Sequence, residues 1–411
     1  MSDAPPIIFN PLDPAFIRDP YPTYRQLQTH APVYRTPLGV WLVSRYRDVN
    51  QVLRDPRFEH RFDDMARRRG GARVATSPAF QSLSRWMLVL NPPDHTRLRA
   101  LLAKGFTARR VESLRPQVQA VIDSLIDDIV ADGHADLVQV FNRPLPIIVI
   151  CQLLGIPESD WARFMDESCL PPQFLAPRPL SGAEIDEMDA AILAIEGYLG
   201  ELCDARRKQP QDDLTTALVE AEEAGERLTR DELIATMVML FFAGHETTVN
   251  LLSNGLNALF QHPQAVARLR AEPALIPNAV EEMLRYDNPA QLAGVRCCTE
   301  PVTLSGVELP AGTQVVPLIG AANRDPEVFD DPDTFDIERS FAVNKVLSFG
   351  GGYHHCIGAQ LARMEASLAI ASLLERLPGL ALEDLGAPAR LASYTLRGLS
   401  AQPARWTTAA R

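Results

Sequence analysis

The sequence predicts a mainly α fold with small β-sheets, an α+β chain, on three observations. Long stretches carry apolar residues at helical spacing, at about Gly182 to Lys208, Thr229 to Gln261 and Ala359 to Leu374. Short β-branched runs between turn residues appear only near the N-terminus and after Gln291. No Gly/Ser linker, low-complexity tract, block of like charge or internal repeat divides the 411 residues. A single domain over 1–411 is expected, a helix-rich core with a smaller β-rich part built from N-terminal and C-terminal strands.

Composition narrows the function classes. At 46% hydrophobic and 22% charged, the chain is ordinary globular material. A net charge of −12 argues against nucleic acid, whose phosphates need a basic face. The longest apolar run, Leu233 to Gly244 broken by Thr236, is too short for a bilayer, so no membrane partner is expected. Met1-Ser2-Asp3-Ala4-Pro5-Pro6 has neither the basic nor the apolar region of a signal peptide. The six cysteines show no CxxC pair or disulfide-framework spacing, which fits the reducing cytoplasm.

In chain order, Asp19 to His30 reads as a short helix opened by Pro20. Val33-Tyr34-Arg35 and Val40-Trp41-Leu42-Val43 flank a Pro37-Leu38-Gly39 turn and read as a β-hairpin, followed by helical spacing from Tyr46 to Leu53. Asp55 to Ser84 reads as a long irregular stretch crowded with Arg57, Arg61, Arg67, Arg68, Arg69 and Arg73, a binding loop or a solvated one. A proline-initiated helix then places His95 and Arg99 at i and i+4, on one face, where two donors suit an anionic group. Helical patterns continue at Val111–Asp132, Pro146–Leu154 and Ser159–Asp166, break at Pro171 to Pro177, and resume at Gly182–Lys208 and about Asp213 to Glu223.

Thr229-Arg230-Asp231-Glu232 is a capping box, Thr229 as N-cap and Glu232 three residues on. The helix it opens, some thirty residues and roughly 45–50 Å, is apolar all round in its first half and therefore buried. Inside it sits Ala243-Gly244-His245-Glu246-Thr247-Thr248. A glycine there costs about 1 kcal/mol against alanine, and a buried carboxylate needs a partner or a shifted pKa. Gly244 removes bulk for something flat or large, beside which Glu246 and Thr247 offer an acid and a hydroxyl. His245-Glu246 also begins the zinc-protease helix signature, but Val249 stands where the second histidine is needed.

Ala279 to Tyr286 is a further helix, with Glu282 and Arg285 at i and i+3. Strands are expected at Gln291 to Cys298, Val302–Leu304, Val307–Leu309 and Thr313 to Leu318, and in a last β region around Ser393 to Leu396. Between them lies a Pro- and Asp-rich coil ending at Arg339, then Phe349-Gly350-Gly351-Gly352-Tyr353-His354-His355-Cys356-Ile357-Gly358 ahead of the last long helix. Glycines permit close backbone approach, and a cysteine at a helix mouth meets N–H groups and the positive dipole end, which favour thiolate. Such a thiolate serves as metal ligand, nucleophile or redox centre.

Taken together, the motifs resemble the cytochrome P-450 haem-thiolate enzymes in their soluble bacterial form, over about Pro11 to Arg405. Phe349-x-x-Gly352-x-x-x-Cys356-x-Gly358 is similar to the haem-binding loop, and Ala243-Gly244-x-Glu246-Thr247 to the oxygen-activation motif of the long central helix. Glu282-x-x-Arg285 with Arg339 resembles the core ion-pair network, and His95-x-x-x-Arg99 the propionate-binding helix. The resemblance implies the cytochrome P-450 fold, with the long helix across the haem, and heme b (iron protoporphyrin IX) as cofactor. Cys356 would be the axial metal ligand, with Phe349 and Gly350 packed around it. His95, Arg99, Arg296 and His354 would bind the propionates, and Ala243 and Gly244 would line the distal face. Glu246 and Thr247 would be catalytic, moving protons.

The reaction so implied is monooxygenation of a lipophilic small molecule by O2, as hydroxylation or epoxidation. Electrons would come from a separate ferredoxin or flavodoxin docked at the basic cluster Arg97, Arg99, Lys104, Arg109 and Arg110, with the enzyme acting as a monomer. Pocket-lining segments would be Asp55–Val89, the Phe174 region, Met239 to Thr247, Gln291–Ala293 and Tyr394–Leu396. A peroxide-driven peroxygenase or a gas-carrying haem protein is the alternative, and neither needs the Glu246–Thr247 pair.

Overall fold

The helix expected from Thr229 to Gln261 spans Arg230–Phe260, 31 residues. Its start is set by the capping box: Thr229 Oγ1 accepts from the Glu232 amide at 3.2 Å while Glu232 Oε2 accepts from the Thr229 amide at 2.9 Å. In its second half Gly255 allows close approach of the Ile276–Tyr286 helix, since a Cβ there would lie 2.8 Å from Met283 Sδ. The computed structural model describes residues 7, 9–165, 178–223, 228–341 and 345–408. The Pro171–Pro177 break and Phe174 therefore lie outside the described residues.

The chain divides into two units, one of Met1–Glu59, Ile122–Asn142 and Thr247–Arg411, the other of His60–Val121 and Arg143–Glu246. The first holds the sheets. Its five-stranded sheet has the order Val33–Arg35, Trp41–Val43, Gln314–Pro317, Arg296–Cys298, Phe58–Glu59. The expected hairpin is antiparallel with Val33 opposite Val43, and Trp41–Val43 pairs in parallel with Gln314–Pro317. Val43, Val49, Phe58, Val315, Ile319 and Leu347 form the core beneath, so strand residues pack against the start of the glycine-rich loop. Val302–Leu304 and Val307–Leu309 form a separate two-stranded ribbon through the Ser305–Gly306 turn.

The second unit is helical. Gly182–Lys208 has the bounds its periodicity predicts and a full capping box between Ser181 and Glu184. Near its end the buried pair Arg206–Asp213 closes on the carbonyl of Gly155, the left-handed residue that ends the Pro144–Leu154 helix.

Three expectations are corrected. Asp55–Ser84 is not irregular: it holds the edge strand Phe58–Glu59, a helix Phe62–Gly70, a 3-10 turn Gly71–Ala75 and a helix Pro78–Leu83. The first of these helices has almost no apolar stripe. Asp63 and Asp64 in its first turn and Arg67, Arg68 and Arg69 in its last instead complement its dipole. The strand expected from Gln291 covers only Arg296–Cys298: the Gln291 amide bonds out to the Thr395 carbonyl, and only the Ala293 amide reaches Pro317 of the neighbouring strand. The last β region is reduced to isolated bridges, Ala290 with Leu396 and Arg390 with Leu399, since Ser393 Oγ accepts from the Thr395 and Leu396 amides in a local turn. The true last strand is Pro403–Arg405, between His134–Asp136 and Ala381–Leu382.

Candidate active site

The Cys356 loop is held by backbone hydrogen bonds. The Cys356 amide donates to the Phe349 carbonyl at 2.9 Å, the Gly350 amide to Leu347 at 2.8 Å and the His355 amide to Gly352 at 3.2 Å. Gly350 and Gly352 have φ of +69° and +63°, the region a side chain resists. A Cβ on Gly352 would meet the Leu53 carbonyl oxygen at 2.4 Å, so the loop lies against the end of the Tyr46–Arg54 helix. Gly358 then N-caps Ala359–Arg376. Among the described cysteines, Cys151, Cys203, Cys297 and Cys298 are buried and Cys356 is exposed. The described residues contain no group of three or more His, Cys, Asp or Glu able to hold a metal ion.

Behind the loop stands a buried ion network. Arg285 and Glu282 are both fully buried and bonded twice, at 2.7 and 2.8 Å, and Arg339 adds a third contact at 3.2 Å. The remaining Arg285 donors go to the carbonyls of Asn323, Pro332 and Thr334. Asn323 in turn accepts from the Leu347 amide and donates to Ser348 Oγ, both at 2.8 Å. The network thus fixes the residues from which the glycine-rich loop departs, a structural role.

Beside the loop, Arg296 is 4% exposed and donates to the Gly294 carbonyl at 2.9 Å. Burial pulls its guanidinium down to about 10, against the raising effect of Tyr353. The Tyr353 ring lies 4.6 Å from that of His354. Arg296, Tyr353 and His354 are therefore brought together next to Cys356, a buried cation and a histidine suited to carboxylates. His355 is exposed.

His95 and Arg99 share one face of Asp94–Gly105, His95 fully buried and Arg99 partly so. These two, with Ala243, Gly244 and Glu246, belong to the helical unit. Thr247, Arg296, Phe349, Gly350, His354 and Cys356 belong to the sheet-bearing one. Along the long helix, every residue from Ala235 to Phe242 and from Thr248 to Phe260 is buried, whereas Ala243 is exposed and Gly244 to Thr247 are half-buried. Between Ala235 and Phe260 the helix is open only at the motif. Gly244 has a further reason to be glycine: a Cβ would press Ile150 Cδ1 at 3.2 Å, so packing of the Pro144–Leu154 helix accounts for it without a cofactor.

The donor set of the loop fits a haem-thiolate group: one exposed sulfur fixed by backbone bonds, with a buried arginine and a histidine beside it. One sequence expectation is weakened. Arg97 is paired with Glu232 and Asp94 and Arg110 with Asp212, so these two arginines offer less free positive charge than the sequence suggests, while the Lys104 side chain lies outside the described residues. Of the pocket segments, Gln291–Ala293 and Thr395–Leu396 meet through the Gln291 amide and the Ala290–Leu396 bridge. Sequence reading missed Tyr353, whose only signal was its place between Gly352 and His354.

A family model for cytochrome P450 matches residues 178–380. The cytochrome P450 monooxygenase PikC of Streptomyces venezuelae is 45% identical over 98% of this chain and 95% of its own length. Among solved structures, CalO2 superposes with a TM-score of 0.90 at 34% identity, over 98% of this chain and 99% of that one. P450BioI, solved with an acyl carrier protein bearing hexadec-9Z-enoic acid, gives 0.88 at 35% identity, over 95% and 99%.

Proposed function

Because the chain belongs to the cytochrome P450 family and is an O2-dependent monooxygenase, we propose that it holds haem b through the Cys356 thiolate and places one oxygen atom of O2 into a lipophilic small molecule, as hydroxylation or epoxidation. The observation that carries this is the Cys356 loop, an exposed sulfur fixed by backbone bonds and two left-handed glycines at a helix mouth. When bound, the haem supplies the O2 chemistry, and a thiolate ligand favours O–O cleavage.

The chain's own residues do the rest. The N-terminal dipole of Ala359–Arg376 and the loop amides keep the sulfur as thiolate. Arg296 and His354, with His95 and Arg99, bind the two propionates. The Glu246 carboxyl and Thr247 hydroxyl, at the one opened stretch of the long helix, hold and pass protons. That acid–alcohol pair is what favours O2 over peroxide as oxidant. A lipophilic substrate is supported by the likeness to P450BioI, whose carrier protein bears the long acyl chain of hexadec-9Z-enoic acid.

Electrons arrive from a separate ferredoxin or flavodoxin, and the chain works in the cytoplasm, in keeping with its free cysteines and with the lack, among the described residues, of any helix long and apolar enough to cross a membrane. The test is turnover with ferredoxin, reductase and O2, on substrates first chosen by the spin-state shift they cause in the ferric protein. Turnover with peroxide alone, or gas binding without turnover, would contradict the reading.

A further inference from the structure

Glu246 has one ionisable neighbour within ion-pair distance among the described residues, and it is the residue before it: His245 Nε2 lies 3.9 Å from Glu246 Oε2. The other ring nitrogen of His245 is already committed. Nδ1 is 2.8 Å from the Phe241 carbonyl oxygen, an acceptor only, so Nδ1 must carry a hydrogen. That fixes the neutral tautomer and leaves the Nε2 lone pair on the Glu246 side. The ring is held between Phe241, centroids 5.0 Å apart, and Phe242, at 6.3 Å edge-on, and its side chain is 14% exposed.

We propose that His245 is the positioning and proton-exchange partner of Glu246, the two exchanging a proton through one bridging water. The inference rests on Glu246 acting in proton delivery, as proposed above. In each exchange Nε2 takes a proton from solvent, passes it through one bridging water to Oε2, and returns to its lone-pair state. Nδ1–H does not change and no electrons move.

The charged groups around the ring are few. Glu246 favours the imidazolium, Arg143 at the head of the Pro144–Leu154 helix opposes it, and Trp161–Met165 contributes Phe164, edge-on to Phe241 at 5.0 Å. Burial depresses the imidazole below its ordinary value, so once protonated at Nε2 it is a ready donor.

The test uses the haem-loaded protein with ¹⁵N-labelled histidine in its diamagnetic ferrous carbon-monoxide form, His245→Phe identifying the signal. The inference expects the Nδ1–H tautomer and a His245 midpoint that falls in Glu246→Gln, where the attracting carboxylate is gone. An Nε2–H tautomer, or an unmoved midpoint, overturns it. Coupling of electron use to product is then followed against pH. His245→Phe should change its acidic limb, and adding it to Glu246→Gln should change nothing further. If Glu246→Gln is fully coupled, the role of Glu246 itself fails. If Glu246→Gln uncouples while His245→Phe leaves the profile unchanged, only the His245 inference fails.

Discussion

The Cys356 loop and the Ala243–Thr247 stretch are built by opposite means. The loop is specified by its backbone: two left-handed glycines, amide bonds to Phe349 and Leu347, and a carbonyl of Leu53 where a side chain would stand. The helix stretch has ordinary backbone and is specified by exposure, five accessible residues in a helix otherwise buried from Ala235 to Phe260. The difference separates two kinds of constraint. Changes at and behind the loop should cost stability. Changes on the opened helix face should cost chemistry and leave the fold intact.

The largest stability effect is expected behind the loop. Arg285→Ala leaves Glu282 charged, buried and without its bidentate partner, and should lower unfolding stability by about 3–5 kcal/mol in denaturant titration. A wild-type midpoint would remove the network from the account.

Next comes Glu365, on the helix behind Cys356, 2% exposed, with Oε2 lacking a hydrogen-bond partner. Burial raises its carboxyl from 4.5 to about 8. The folded state keeps a proton that the unfolded chain releases above 4.5. Its stability contribution is therefore full below that pH and is lost as pH rises through 8, a change on the order of 4 kcal/mol. Glu365→Gln should flatten the fall in thermal midpoint between pH 5 and 9. An unaltered slope would refute the assignment.

Smaller still, Gly352→Ala forces a left-handed alanine against the Leu53 carbonyl and should cost about 1–2 kcal/mol or more, with weaker haem retention on gel filtration. On the helix face, Thr247→Ala should move stability by no more than about 0.5 kcal/mol. It should nevertheless divert reducing equivalents to peroxide, measured as peroxide formed per electron pair. Full coupling there would merge the two kinds of constraint into one.

The same distinction explains what could be read from the chain. Gly182–Lys208 and Arg230–Phe260 were legible because apolar periodicity and, for the second, the capping box at Thr229 are local signals. Phe62–Gly70 was not, because its helix is supported by charge at its ends and carries little apolar pattern. Pro403–Arg405 was hidden because a proline reads as a break, whereas here it opens the central strand of a three-stranded sheet. At the site, the glycines and Cys356 announced themselves as a motif. That Gly244 yields to Ile150, that Arg97 and Arg110 are neutralised by Glu232 and Asp212, and that Tyr353 sits between Arg296 and His354 are tertiary facts without a local signature.

The central claim is that Cys356 is the axial thiolate, and the reduced carbon-monoxide spectrum tests it most directly. The wild-type protein should show the strongly red-shifted band of a thiolate-ligated haem, and Cys356→Ala should lose it. A wild-type band typical of histidine ligation, or a thiolate band that survives in Cys356→Ala, would contradict the account.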